Sequence, residues 1–119
     1  MDELGSLDQQ YGDSIMNEEE LLEQVRLAVY GMEPDAEIIL YGSRSRGDSV
    51  STSDWDFLVL VDGPLNDERI DRIRHRLYEI EWESGEVISS IVRNREQWNS
   101  DLYRAMPFHQ RVAEEGIKL

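Results

Sequence analysis

Apolar residues recur at helical spacing from the first third of the chain: Leu21, Leu22, Val25, Ala28, Val29 and Met32. This pattern predicts an amphipathic helix over about residues 18–32. Asn17 precedes Glu18-Glu19-Glu20, a good N-cap with a glutamate at the third helical position, as in a capping box. Gly31 and Pro34 close the helix, and Glu37-Ile38-Ile39-Leu40-Tyr41 reads as a buried strand. Gly42-Ser43 turns the chain. Residues 44–53, with Gly, Asp and four serines, predict a loop or one short helical turn. Trp55 to Val61 alternates: Phe57, Val59 and Val61 share one face of a strand, and Asp56, Leu58 and Leu60 share the other. Asp62-Gly63-Pro64 is a turn. Asn66 can cap a helix with Ile70, Ile73, Leu77 and Ile80 on its apolar face, ending near Trp82 to Ser84 with Gly85 just beyond. Residues 86–92 predict a third strand. Asn94 can cap a helix containing Trp98, Leu102 and Ala105, and Pro107 restarts a short helix that stops at Gly116. The order is helix, strand, strand, helix, strand, helix, helix. It specifies an α+β domain with a small mixed sheet and helices packed against it.

Residues 1–16 are acidic, polar and without periodicity, so they are expected to form a flexible leader to a single domain spanning 17–119. A chain of 119 residues supports one modest core. No apolar run reaches the roughly 20 residues of a membrane span. The acidic start does not resemble a secretory signal. There is no cysteine, which excludes disulfides, zinc-thiolate sites and thiol nucleophiles and is compatible with a cytoplasmic location. The formal net charge is −14, from 26 acidic and 12 basic residues. Such a charge repels a phosphate backbone and argues against nucleic acid as a partner. It accommodates a basic protein, or a nucleotide that arrives with its metal.

The chemistry is concentrated in Tyr41-Gly42-Ser43-Arg44-Ser45-Arg46-Gly47 and Ser53-Asp54-Trp55-Asp56. Asp54 and Asp56, two residues apart at the head of a strand, present their carboxylates on one face. Mg²⁺ binds through one or two carboxylates plus substrate phosphates, which the Gly-Ser turn would hold. His75, between arginines, is expected in solvent, and His109, beside Phe108, is expected to pack or cap. Trp82 and Trp98 are expected in the core or at an interface. Trp55 is expected on the face opposite the two aspartates.

Gly42-Ser43, ten intervening residues and Asp54-Trp55-Asp56 resemble the signature of the DNA polymerase β-type nucleotidyltransferase superfamily. Within it, Gly-Ser-Arg-Ser-Arg-Gly-Asp with Ser-Asp-Trp-Asp-Phe-Leu-Val resembles the minimal nucleotidyltransferases. The segments Glu83 to Val92, Glu96-Gln97-Trp98 and Glu114-Glu115-Gly116-Ile117 fit the same pattern, over about residues 18–119. The resemblance implies a polymerase β-like fold and transfer of a nucleotidyl group, AMP from ATP, to a hydroxyl with Mg²⁺ or Mn²⁺. It implies Asp54 and Asp56 as catalytic metal ligands. Gly42 and Ser43 would bind phosphate, and Arg44 or, better, Arg46 would balance phosphate charge. It further implies an antitoxin that pairs with a HEPN toxin and adenylylates it on a tyrosine. Active relatives usually carry a third carboxylate on the later strand, where this chain has Ser89 and Ser90. Glu86 or Ser89 is the candidate third ligand. A catalytically silent nucleotide- or partner-binding module is the alternative reading.

Overall fold

The structure is a computed structural model that describes residues 16–50 and 52–119. The expected leader lies outside the described residues except for Met16, which packs against the core. Helix α1 (Glu18–Met32) starts with the complete capping box: the Asn17 side chain accepts from the Glu20 N–H, and the Glu20 side chain accepts from the Asn17 N–H. It leads into β1 (Glu37–Tyr41). A four-residue helix α2 (Ser43–Arg46) follows, the helical-turn option for this stretch, between Gly42 and Gly47, both with positive φ. Strand β2 (Trp55–Val61) precedes α3 (Asp67–Ser84), which Asn66 caps and Gly85 ends in the left-handed conformation.

Strand β3 (Ile88–Asn94) starts two residues later than expected and extends two further. The cause is local. The Ser84 hydroxyl accepts the Glu86 N–H, and Glu81 accepts the Ile88 N–H. These bonds tie residues 85–88 to the end of α3 and delay the strand. The single helix expected after Asn94 is split into α4 (Arg95–Trp98) and α5 (Asp101–Arg104). Ser100 caps the second piece through the Tyr103 N–H, so the chain restarts rather than continues. Leu102 then points outward, 74% exposed. Helix α6 (Pro107–Glu115) leads into a two-residue strand β4 (Ile117–Lys118) that the apolar pattern is too short to announce.

The sheet order is β3-β2-β1-β4. β1 runs antiparallel to β2 and β4, and β2 runs parallel to β3. The sheet is therefore mixed, as the sequence predicts. The alternation of β2 divides the core in two. Trp55, Phe57, Val59 and Val61 face α1 and α3, against Leu21, Val25, Val29, Ile73, Leu77 and Ile80. Leu58 and Leu60 face the other way, with Tyr41, Trp98, Val112 and Phe108. Burying one such aliphatic side chain is worth about 1.5–3 kcal/mol, so both faces anchor β2. Trp98 is buried in the second layer and His109 stacks on it, ring centroids 4.5 Å apart. His75 is exposed, and Trp82 lies 80% exposed on α3 rather than in the core. Among the described residues no helix is long and apolar enough to cross a membrane.

Candidate functional site

The site lies where β1 ends and β2 begins, on the face of the sheet that α6 covers. Tyr41, the last residue of β1, is opposite Asp56, the second residue of β2. The chain leaves β1 through Gly42 at φ 84°, a left-handed conformation that side chains rarely adopt. A Cβ at Gly42 would collide with the Asp56 carboxylate. The turn thus needs glycine twice, for its backbone angle and for the room the carboxylate occupies. Ser45 closes the turn by donating its hydroxyl to the Gly42 carbonyl at 2.7 Å.

Asp54 is exposed and Asp56 is half-buried, two residues apart, with Trp55 between them turned into the opposite core layer. Burial pushes the Asp56 carboxyl above its ordinary range, and the Asp54 charge pushes it further the same way. The charges of Arg111 and Arg46 oppose that rise, and Glu115 adds to it. Tyr41 is also pushed up, first by burial and then by the charge of Asp56. A half-buried carboxyl raised by burial and by a neighbouring carboxylate is the electrostatic condition that a divalent cation relieves. Among the described residues no group of three or more His, Cys, Asp or Glu side chains is placed to hold a metal. The donor set fits Mg²⁺, which accepts one or two carboxylates and takes its remaining oxygens from substrate phosphates and water.

The other candidates separate onto the two faces. Ser89 is in register with Asp56 on the parallel neighbour β3, whereas Ser90 is in register with Phe57. Glu86 accepts the Trp55 indole N–H at 3.1 Å and an Arg44 guanidinium N–H at 3.3 Å. It is thereby engaged with Trp55, on the side away from Asp56. Arg44 goes with it. Its guanidinium lies 4.5 Å from the Trp55 ring centroid and donates to the Ser53 carbonyl. Arg46 is on the other side of the turn and donates to Asp48 and Glu115. The structure thus brings together Gly42, Asp54, Asp56, Arg46 and Ser89, and it directs Arg44 and Glu86 elsewhere.

Three further residues at this site, Tyr41, Arg111 and Glu115, are given no role by the sequence pattern. Glu115 accepts the Gly42 N–H at 2.5 Å and the Arg46 Nη1–H at 3.1 Å, from about 70 residues further along the chain. The C-terminal Glu-Glu-Gly-Ile segment was the available sequence clue. Gly116 makes the approach possible, because a Cβ there would strike the Val112 carbonyl and Ile39.

A family model described as a nucleotidyltransferase domain matches residues 19–117, the whole region that builds this site. The chain belongs to that family. The nucleotidyltransferase fold is also found in solved structures. A toxin–antitoxin crystallised with AMP-PNP superimposes with a TM-score of 0.58 at 18% identity, over 81% of this chain and 69% of the other. A mutant of the toxin–antitoxin MntA-HpeT gives 0.55 at 21% identity, over 87% and 72%. None of the curated proteins matches the chain significantly. In this nucleotidyltransferase domain the Gly-Ser turn and the Asp54–Asp56 pair share the end of one β-hairpin, which the strand pairing holds rigidly.

Proposed function

We propose that this nucleotidyltransferase domain binds Mg²⁺–ATP at Gly42, Ser43, Arg46, Asp54 and Asp56 and transfers AMP to a hydroxyl of a protein partner. The observation that carries the reading is the contact between Gly42 and Asp56, which leaves no room for any other residue at the turn. A phosphate-holding turn and a metal-holding carboxylate in van der Waals contact are what a metal-bridged triphosphate requires. The bound metal would supply charge neutralisation on the phosphates. Asp54 and Asp56 would hold it. The Ser43 hydroxyl and backbone N–H would bond a phosphate oxygen, and Arg46 would balance phosphate charge. The acceptor oxygen would attack the α-phosphorus as the bond to pyrophosphate breaks, with the acceptor proton passing to solvent.

The partner is inferred to be a toxin, for which this chain serves as antitoxin. The two solved structures described above are toxin–antitoxin structures, and one was crystallised with AMP-PNP, an ATP analogue. A HEPN-type toxin modified on a tyrosine is the specific form of this proposal. A second reading, a nucleotide-binding module without transferase activity, draws on one observation. Ser89 occupies the position beside Asp56 where a third carboxylate would complete the metal site.

Calorimetric titration with ATP, with and without Mg²⁺, tests the binding. Affinity is expected only with the metal, and it should disappear in Asp54→Asn/Asp56→Asn while the fold persists by circular dichroism. Unchanged affinity in that folded double variant would refute the site. Transfer of labelled AMP to a co-purified partner separates the two readings.

A further inference from the structure

Glu115 links α6 to the Gly-Ser turn, and its geometry has a direction. Its side chain is 12% exposed, and its two oxygens take the Gly42 N–H and Nη1–H of Arg46. Asp48 takes Nε–H of the same guanidinium at 3.1 Å. Two of the three guanidinium nitrogens are therefore committed to carboxylates on known sides. Nη2 is the nitrogen that neither takes. A guanidinium is planar and its donors form a fixed fork. Fixing Nε and Nη1 consequently fixes the direction of Nη2. Arg46 is otherwise 44% exposed, on a four-residue helix with no side-chain cap. Without these two partners its long side chain would sample many rotamers, and ordering it on binding would cost conformational entropy.

Glu115 is itself held. Gly116 follows in a space that admits no Cβ, and the chain then pairs as β4 with β1, Leu40 opposite Ile117. The carboxylate is thus attached to the same strand whose end it organises.

We infer that Glu115 is a positioning residue that fixes the Gly42 amide and the Arg46 fork so that Nη2 of Arg46 meets the nucleotide phosphates. The inference rests on the nucleotide reading proposed above. It assigns to the C-terminal helix a role in phosphate recognition, although Glu115 itself is an anion and does not touch phosphate.

The test is a double-variant cycle on Mg²⁺–ATP binding, measured by titration calorimetry on the full chain with Glu115→Gln, Arg46→Ala and the pair. Glutamine keeps the size and an oxygen for the Gly42 N–H but loses the charge-assisted bonds to Arg46, which are the strong ones. Glu115→Gln should weaken binding about tenfold. In the Arg46→Ala background the same change should have no further effect. A general loss of structure would instead lower the melting temperature and add to the Arg46→Ala effect, and that result would overturn the inference. So would tighter binding by Glu115→Gln, which would mark the carboxylate as a competitor of phosphate. Absence of Mg²⁺–ATP binding by the unaltered chain would remove the nucleotide reading and this inference together. Normal binding by both the unaltered chain and Glu115→Gln would remove this inference alone.

Discussion

At Asp56, burial and the neighbouring charge of Asp54 both favour the neutral acid. The carboxyl pKa is raised in the folded chain, so the stability it contributes is present below the ordinary aspartate range. That contribution is lost as pH rises through the folded value. At neutral pH the ionised group therefore costs stability, as a site built to receive a cation would. Asp56→Asn should make the metal-free domain more stable at neutral pH, by about 0.5 kcal/mol once solvent screening is allowed for. The advantage should shrink as pH falls through the folded value and Asp56 takes up its proton. Thermal melts of the two proteins across that range provide the check. A less stable Asn variant at neutral pH would show that favourable contacts hold the charge. The alternation that puts Asp56 and Leu58 on one face and Phe57 on the other is readable from β2 itself. The contact of its carboxylate with Gly42 is not, because it depends on how β1 and β2 pair.

Strand β3 shows where reading elements from the sequence stops. Its apolar run identifies it as a strand, yet side chains of α3 delay its start by two residues. The resulting register sets Ser89, not Ser90 or Glu86, beside Asp56. The split of the helix after Asn94 has a similar origin. Ser100 is as good an N-cap as Asn94, and two caps six residues apart favour two short helices over one long one. The register also makes a prediction about the strand. Ser89→Asp would place a third carboxylate next to Asp56 on the same face. As a like-charge cross-strand neighbour it should destabilise the metal-free domain by about 0.2–1 kcal/mol. It should also raise AMP transfer about tenfold or more, by supplying the base and ligand that serine lacks. A folded variant with the expected loss of stability and no gain in transfer would show that no third acid is wanted there.

Over the whole molecule the candidate phosphate and metal residues, with the acid bonded to them, draw on three parts of the chain: the turn after β1, the head of β2 and the end of α6. The first two are separated by ten residues and form a recognisable pattern. The third is about 70 residues away and is brought in by the packing of Phe108 and Val112 beneath Tyr41 and Leu58. Only the fold supplies that distance. The charge of the molecule sets a further condition. With a net charge of −14, the two arginines of the Gly-Ser turn region are held by acids: Arg46 by Asp48 and Glu115, and Arg44 by Glu18 and Glu86. A long polyanion gains affinity by releasing counterions to a continuous cationic face, and neutralised arginines provide none. A single nucleotide escapes this penalty because it brings its own metal. Fluorescence anisotropy with a labelled single-stranded oligonucleotide should therefore show no binding up to about 100 μM chain at low salt, a range in which ordinary non-specific binders saturate. Binding with a steep loss on added salt would mean that acid-paired arginines are released to phosphate. The acceptor of the transfer would then have to be sought among nucleic acids rather than proteins.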